Sequence, residues 1–259
     1  MPEYAMLNDV SRCMGCRGCQ VACKSWNNLP AENTIQNGSY QNPADLSENT
    51  WCLVRFNEVS DGNGNVKWLF RKNHCFHCTN AACIDVCPAP GAIYKTEEGA
   101  VVIDHDKCIG CKYCINVCPF EVPRFNPKTG KVYKCTLCID RLRGDMIPAC
   151  AKTCTSGAVL FGERKDILDT AKKRVKELGG NAVLYGDKYL GGTHVMYVLP
   201  ESPALYAGLP VNPVFPVSVF IWRKIVTPLT LGGFLGAIGL AWMYYICRGP
   251  NRPKNGGDE

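Results

Sequence analysis

Much that would mark a catalytic or nucleotide-binding protein is missing from this chain. No G-x-G-x-x-G follows a strand-like run, so no flavin or nicotinamide site is evident. Histidine is scarce: His74, His77, His105 and His194 are the only four in 259 residues. None lies in the long apolar run near the C-terminus, so this chain alone supplies no haem ligand within a bilayer. The opening stretch MPEYAMLNDVSRC has neither a basic segment leading into an apolar one nor a twin arginine. The expectation is a chain without an export signal of its own. No C-x3-C-x2-C occurs, which excludes a radical enzyme whose cluster keeps an open fourth iron.

What the chain does have is cysteine. Eighteen in 259 residues is too sparse for a disulfide scaffold of this length. Thiols spaced for ligation in an unexported polypeptide point to metal instead. Sixteen of them fall into four groups: Cys13, Cys16, Cys19, Cys23; Cys75, Cys78, Cys83, Cys87; Cys108, Cys111, Cys114, Cys118; and Cys135, Cys138, Cys150, Cys154. This is an internal repeat with insertions of varying length. The last thiol of each group follows the third by x3, a spacing that suits a short helix carrying both on one side.

Zinc also takes C-x2-C pairs, but its tetrahedral sites join two pairs across a loop. Here C-x2-C-x2-C wraps three corners of a cuboidal iron–sulfur cluster. The fourth thiol, with proline after it in groups two and three, completes the bacterial ferredoxin run, in which it reaches the other cluster of a pair. Four such runs predict four [4Fe-4S] clusters and electron transfer, because tetrathiolate ligation leaves no iron open to substrate. A zinc-stabilised scaffold is the distant alternative. The formal charge of +6 is no argument for a nucleic-acid partner. Four thiolates on an oxidised core of charge 2+ leave about −2 per site, so four sites bring the total to about −2. Cys52 and Cys247 fall outside the groups and are expected to be unligated. His74 and His77, flanking Cys75 and Cys78, are expected to tune or shield a cluster.

Between the groups the chain reads as hairpins. WCLVRFNEV and VKWLFRK flank SDGNGN, and AIYKT and AVVID flank EEG. KDILDTAKKRVKEL places Ile167, Leu168, Ala171, Val175 and Leu178 on one face before Gly179-Gly180, an amphipathic helix with a solvated lysine face. Five prolines between Pro200 and Pro216 predict a stiff linker. Ile225 to Cys247 is uncharged over 23 residues, roughly 34 Å of helix and enough to cross a bilayer. Arg223 and Lys224 precede it; Arg248, Arg252 and Lys254 follow; Trp222, Trp242, Tyr244 and Tyr245 sit near its ends. Gly232 and Gly236, with Gly233, Ala237 and Ala241, repeat small residues for close helix approach. The domains expected are an iron–sulfur region over 1–199, a linker over 200–217, a transmembrane helix over 218–248 and a tail over 249–259.

CMGCRGCQVACKSWNNLP, FRKNHCFHC, CIGCKYCINVCPFEVPRF, KCTLCIDR and PACAKTCTSGAVLFG resemble the iron–sulfur subunits of complex molybdenum or tungsten oxidoreductases. LGGTHVMYVL, LYAGLP and one C-terminal membrane helix resemble the β subunit of membrane-bound formate dehydrogenase in particular. The resemblance implies an α+β fold of two pseudo-symmetric ferredoxin-like dicluster units, plus the membrane helix. It implies a catalytic α subunit carrying a Mo/W-bis-pterin cofactor, a membrane cytochrome b γ subunit that passes electrons to quinone, and a bulk on the extracytoplasmic face of the cytoplasmic membrane. With the ferredoxin rule it implies four crossed ligand sets. Cys13, Cys16, Cys19 and Cys154 form one; Cys135, Cys138, Cys150 and Cys23 its neighbour; Cys75, Cys78, Cys83 and Cys118 the third; Cys108, Cys111, Cys114 and Cys87 the fourth. Related subunits serve hydrogenases and polysulfide, dimethyl sulfoxide or nitrate reductases. The nitrate branch has Trp where this chain has Cys111, and holds a three-iron cluster there.

Overall fold

The computed structural model describes residues 3–36, 38–60, 64–217, 221 and 225–248. The chain divides into two compact regions, Met1–Phe215 and Pro216–Glu259.

The first region is organised by a four-stranded sheet in the order β8–β1–β10–β9. Its strands are β1 (Tyr4–Asp9), β8 (Val159–Glu163), β9 (Val183–Tyr185) and β10 (Val195–Leu199). β1 runs antiparallel to β8, with Met6 opposite Phe161, and parallel to β10, with Leu7 opposite Met196. β10 is buried at every position. YAMLND and VMYVL therefore read as near-continuous apolar runs, as central strands covered on both faces do. On one face Ala5, Leu7, Met196 and Val198 meet Ile167 and Ala171 of the helix α6 (Arg164–Leu178). That is the helix its periodicity predicts, ending at Gly179. On the other face Met6, Val195, Tyr197 and Leu199 enter the main core with Phe76 and Phe120, which stack at 3.7 Å.

Three two-stranded hairpins link the cysteine groups: β2–β3 (Leu53–Ser60, Val66–Asn73), β4–β5 (Ile93–Lys95, Val101–Ile103) and β6–β7 (Arg124–Asn126, Lys131–Tyr133). The first two are the predicted ones; part of the SDGNGN turn, 61–63, lies outside the described residues. The third, with strands RFN and KVY, was not foreseen. The irregular stretch after group one is docked by Asp45, which pairs with Arg55 at 2.5 Å and Arg124 at 2.6 Å.

The proline-rich segment does not stand free as a linker. Residues 200–215 belong to the first region and form a strap. Tyr206 and Leu209 are buried in the main core. Asn57 accepts from the Ala207 N–H at 2.8 Å, Arg71 donates to the Ala207 carbonyl at 3.0 Å, and Tyr185 donates to the Pro210 carbonyl at 2.6 Å. Proline here fixes an extended path that the core then binds along its length.

The second region contains the helix α7 (Thr227–Arg248). Pro228–Cys247 has a mean hydropathy of 1.5, and none of it is buried. Trp222, Arg223, Lys224, Arg252, Lys254 and the tail over 249–259 lie outside the described residues.

Candidate metal centres

Each cysteine group is shaped first by its backbone. In all four, the residue before the second thiol adopts a left-handed conformation: Gly15 (φ 68), His77 (φ 48), Gly110 (φ 69) and Leu137 (φ 58). This reversal turns the intervening amide back toward the first sulfur. The His77 N–H donates to Cys75 Sγ and the Leu137 N–H to Cys135 Sγ, both at 3.4 Å. Groups one and three share a second feature, a left-handed basic residue after the second thiol. Arg17 (φ 61) starts α1 (Gly18–Trp26) and Lys112 (φ 66) starts α3 (Tyr113–Asn116). Each cation lies over a hairpin phenylalanine, Arg17 at 4.8 Å from the Phe56 ring and Lys112 at 3.9 Å from Phe125. By backbone, group one matches group three; groups two and four share the amide-to-sulfur bond, but in group four the second thiol, Cys138 (φ 50), is left-handed as well.

The expected helix over the last two thiols forms fully only in group one, where α1 carries both Cys19 and Cys23. In the others a one-turn helix carries the third thiol, and the chain leaves it before the fourth. These helices are α2 (Ala82–Asp85), α3 and, after α4 (Ile139–Leu142) between the second and third thiols of group four, α5 (Ala149–Lys152). α1 packs on α5 and α2 on α3, so group one faces group four across the chain while group two faces its sequence neighbour, group three.

That packing crosses the thiols between groups. Burial pushes the Cys13 thiol up to about 11, and the thiols repelling its ionisation are Cys19, Cys154 and Cys16. Burial raises Cys23 well above its ordinary value, with Cys135, Cys150 and Cys138 around it. Cys78 is raised by burial and by Cys75, Cys118 and Cys83. Cys114 is pushed up to about 12 by burial and by Cys111, Cys108 and Cys87. The sixteen thiols thus gather as four quartets, here numbered one to four in that order. Neighbouring quartets touch electrostatically: Cys135 feels Cys75, and Cys83 feels Cys114. Clustered thiols that oppose one another's ionisation become thiolates most readily around a cationic core; Cys19 is already pulled down to about 7 by its hydrogen bond with Cys52 and by the Lys72 ammonium. Among the described residues no three His, Cys, Asp or Glu side chains converge on a single-ion site, which needs ligands about 2.3 Å from the metal. Quartets of soft thiol donors suit a cuboidal cluster. The fourth quartet lines a cavity closed by Ile93, Ile103 and Val132.

Other groups complete the surroundings. Cys154 Sγ accepts from the Val159 N–H at 3.3 Å, and Asn27 Nδ2 donates to Cys23 Sγ at 3.8 Å. Cys52 lies just before β2 rather than on a strand; its thiol hydrogen-bonds Cys19, which with burial keeps it protonated. Cys247 is exposed on α7. Burial holds His74 and His77 neutral. His77 Nδ1 accepts from the Val101 N–H at 2.9 Å, which leaves the proton on Nε2. That buried Nε2 has no protein partner among the described residues. His194 contacts the His77 carbonyl through Nδ1 at 2.8 Å, and His105 contacts the Val132 carbonyl at 3.1 Å.

Two residues escaped the sequence reading, Lys72 and Lys134, both buried among the thiols. Burial pulls each ammonium down, but nearby sulfurs more than offset it. For Lys72 they are Cys150, Cys52 and Cys19; for Lys134 they are Cys75, Cys83, Cys135 and Cys118. The only signal available was a lysine directly before Cys135 and another three residues before Cys75.

Two family models, each described as a 4Fe-4S dicluster domain, match residues 66–164 and 12–92. The chain is 44% identical to the iron–sulfur subunit of the nitrate-inducible formate dehydrogenase of Escherichia coli K12, over 99% of this chain and 89% of that protein. It is 46% identical to a formate dehydrogenase iron–sulfur subunit of Haemophilus influenzae, over 96% of this chain and 82% of that one. Formate dehydrogenase 2 subunit beta (cytochrome c-553) of Nitratidesulfovibrio vulgaris is 42% identical over 68% of this chain and 84% of its own length.

Proposed function

The chain belongs to the iron–sulfur subunits of formate dehydrogenases, and from that premise we propose that its four thiol quartets hold four [4Fe-4S] clusters wired in series. The subunit relays electrons within a formate dehydrogenase complex and works beside a catalytic subunit. Its clusters, when bound, are one-electron centres and supply the redox chemistry. The polypeptide places them, excludes water and fixes their surroundings with N–H groups and buried ammoniums.

The observation that carries the reading is the crossing of Cys154 to Cys13, Cys16 and Cys19, and of Cys23 to Cys135, Cys138 and Cys150. It supports the crossed ligand sets of paired-cluster ferredoxins. The backbone likeness of group one to group three, and the amide-to-sulfur bond shared by groups two and four, support two pseudo-symmetric halves. The wire then runs through quartets one, two, three and four. The half built from groups one and four faces the catalytic Mo/W-bis-pterin subunit, and the half built from groups two and three faces a cytochrome b subunit serving quinone.

α7 supports membrane attachment. Its 22 residues span about 33 Å against a hydrocarbon core of about 30 Å. A helix apolar all round and buried nowhere in its own chain calls for lipid or a partner helix. Basic residues near its ends number two before and three after, too even to orient it. Family resemblance favours the bulk outside the cytoplasm and the C-terminus inside; labelling an engineered surface cysteine on intact cells would reveal the reverse arrangement.

The test is metal analysis of the anaerobically purified complex followed by formate reduction. About sixteen iron and sixteen acid-labile sulfide per chain are expected, with the clusters reduced by formate. Zinc in their place, or about eight iron at full occupancy, would overturn the four-cluster reading.

A further inference from the structure

Lys72 and Lys134 are 3% and 4% exposed, in a region where burying an unpaired ammonium is costly. The lysines in ion pairs among the described residues are Lys24, Lys67, Lys95 and Lys107, all partly or fully exposed. Lys72 and Lys134 are in none of these pairs. Lys134 Nζ donates to the Val101 carbonyl and, at 3.1 Å, to the Cys135 carbonyl. Lys72 Nζ meets Met6 Sδ at 3.5 Å. These are dipoles and a thioether, and none supplies a full negative charge. The anionic groups within reach are the ligand sulfurs.

The two lysines occupy different gaps. Lys72 lies among Cys19 of quartet one and Cys150 of quartet two, and Cys23, Cys135 and Cys138 of quartet two also feel it. Lys134 lies between Cys135 of quartet two and Cys75, Cys83 and Cys118 of quartet three. Around quartet four the ammoniums are Lys112, over the Phe125 ring, and Lys131, on the Cys108 carbonyl at 2.6 Å. Neither is buried, so water screens both.

We propose that Lys72 and Lys134 are fixed buried countercharges that raise the reduction potentials of the clusters beside them, with Lys134 serving the crossing between the two halves of the wire. Each transfer moves one electron: the donor cluster is oxidised by one, the acceptor reduced by one, and no proton need move. The electron adds one negative charge to a site already holding four thiolates. A nearby ammonium stabilises that reduced form more than the oxidised one. Lys134 faces both inner quartets, so it raises both potentials and leaves their difference small. An electron reaching quartet two therefore finds quartet three at a similar level. Lys72 acts on quartets one and two.

The inference rests on the four-cluster reading, which the iron count of the unsubstituted complex tests separately. The experiment is an EPR-monitored redox titration of the purified complex carrying Lys134→Met. Two of the four midpoint potentials should fall together, with iron content unchanged and a smaller fraction of those two clusters reduced by formate. In Lys72→Met, one of those same two should fall with a third, and the fourth should stay. Unmoved potentials in iron-replete protein, or an equal shift of all four, would overturn the proposal. If Lys134→Met loses iron, Lys134→Arg decides. Retention of iron by the arginine variant supports a need for charge, and equal loss in both makes the side chain a packing element and overturns the idea.

Discussion

The two halves of the iron–sulfur region share one backbone device and differ in what surrounds it. The half built from groups one and four rests against the large sheet, with Val159 of β8 donating to Cys154. A buried lysine lies between its quartets, and Trp51 packs with Cys23 and Cys52 over one of them. The half built from groups two and three meets the same sheet through group two, where the Val195 N–H of β10 donates to the Phe76 carbonyl and Cys78 bridges Thr193. Around quartet four its cover is mostly aliphatic, with Ile93, Val101 and Ile103 of the short β4–β5 hairpin and Val132 of β7. Between quartets three and four Cys83 feels Cys114 directly. The backbone fixes where thiols converge, whereas the surroundings set how easily a bound centre takes an electron. A duplicated motif thus gives unlike redox sites without changing a ligand.

The crossing of ligands is the part of this comparison that is easiest to break. Cys154→Ala and Cys13→Ala are expected to lose the same EPR signal, with up to about four iron each, and Cys154→Ala and Cys150→Ala different ones. In the other half Cys118→Ala should match Cys75→Ala. A shared loss for Cys154 and Cys150 would mean that each group closes its own cluster. A gentler lesion in the second half is Cys111→Trp. It is expected to leave a three-iron centre of higher potential there, so that formate still reduces the quartet-one and quartet-two clusters while haem reduction slows. Blocked reduction of every cluster would reverse the order of the wire.

Two equivalent glycines sharpen the comparison further. A Cβ on Gly110 would lie 2.0 Å from the Gly130 carbonyl oxygen, whereas one on Gly15 would meet the Phe56 and Phe70 rings at 3.3 Å. Both positions also carry positive φ. Gly110→Ala is expected to cost about 3 kcal/mol or more, since backbone must move. Gly15→Ala should cost about 1 to 2 kcal/mol, the left-handed penalty itself. Thermal unfolding of the holo complex would rank them, and a larger loss at Gly15 would contradict the geometry. The smallest effect belongs to the paired cations. Lys112→Ala and Arg17→Ala should each cost about 0.5 to 1 kcal/mol through the lost ring contact, with cluster content intact by iron assay.

The thiols and their grouping were legible because ligand chemistry demands fixed spacing. α6 and the first two hairpins were legible from periodicity and turn residues. The central strands β1 and β10 were not, since YAMLND and VMYVL are covered on both faces and carry no alternation. The strap was misread because proline signals stiffness equally in a free linker and in a bound segment. Only the burial of Tyr206 and Leu209 separates the two. Lys72 and Lys134 stayed hidden because a buried lysine and a surface lysine look alike in one dimension. Their anionic neighbours come from residues as distant as Cys19 and Cys150.

Crossed quartets also impose a timetable on synthesis. A chain emerging from its N-terminus presents Cys13, Cys16 and Cys19 early, yet their fourth companion is Cys154. Cys23 waits for Cys135, Cys138 and Cys150. The quartets of Cys78 and Cys114 are complete once Cys118 has appeared. With clusters in the quartets as proposed, the middle of the polypeptide completes its sets first, and the earliest thiols made are among the last to be filled. Through that interval they remain bare nucleophiles, open to oxidation or to a stray metal, so the nascent subunit needs reducing surroundings until its last cysteine group has been made.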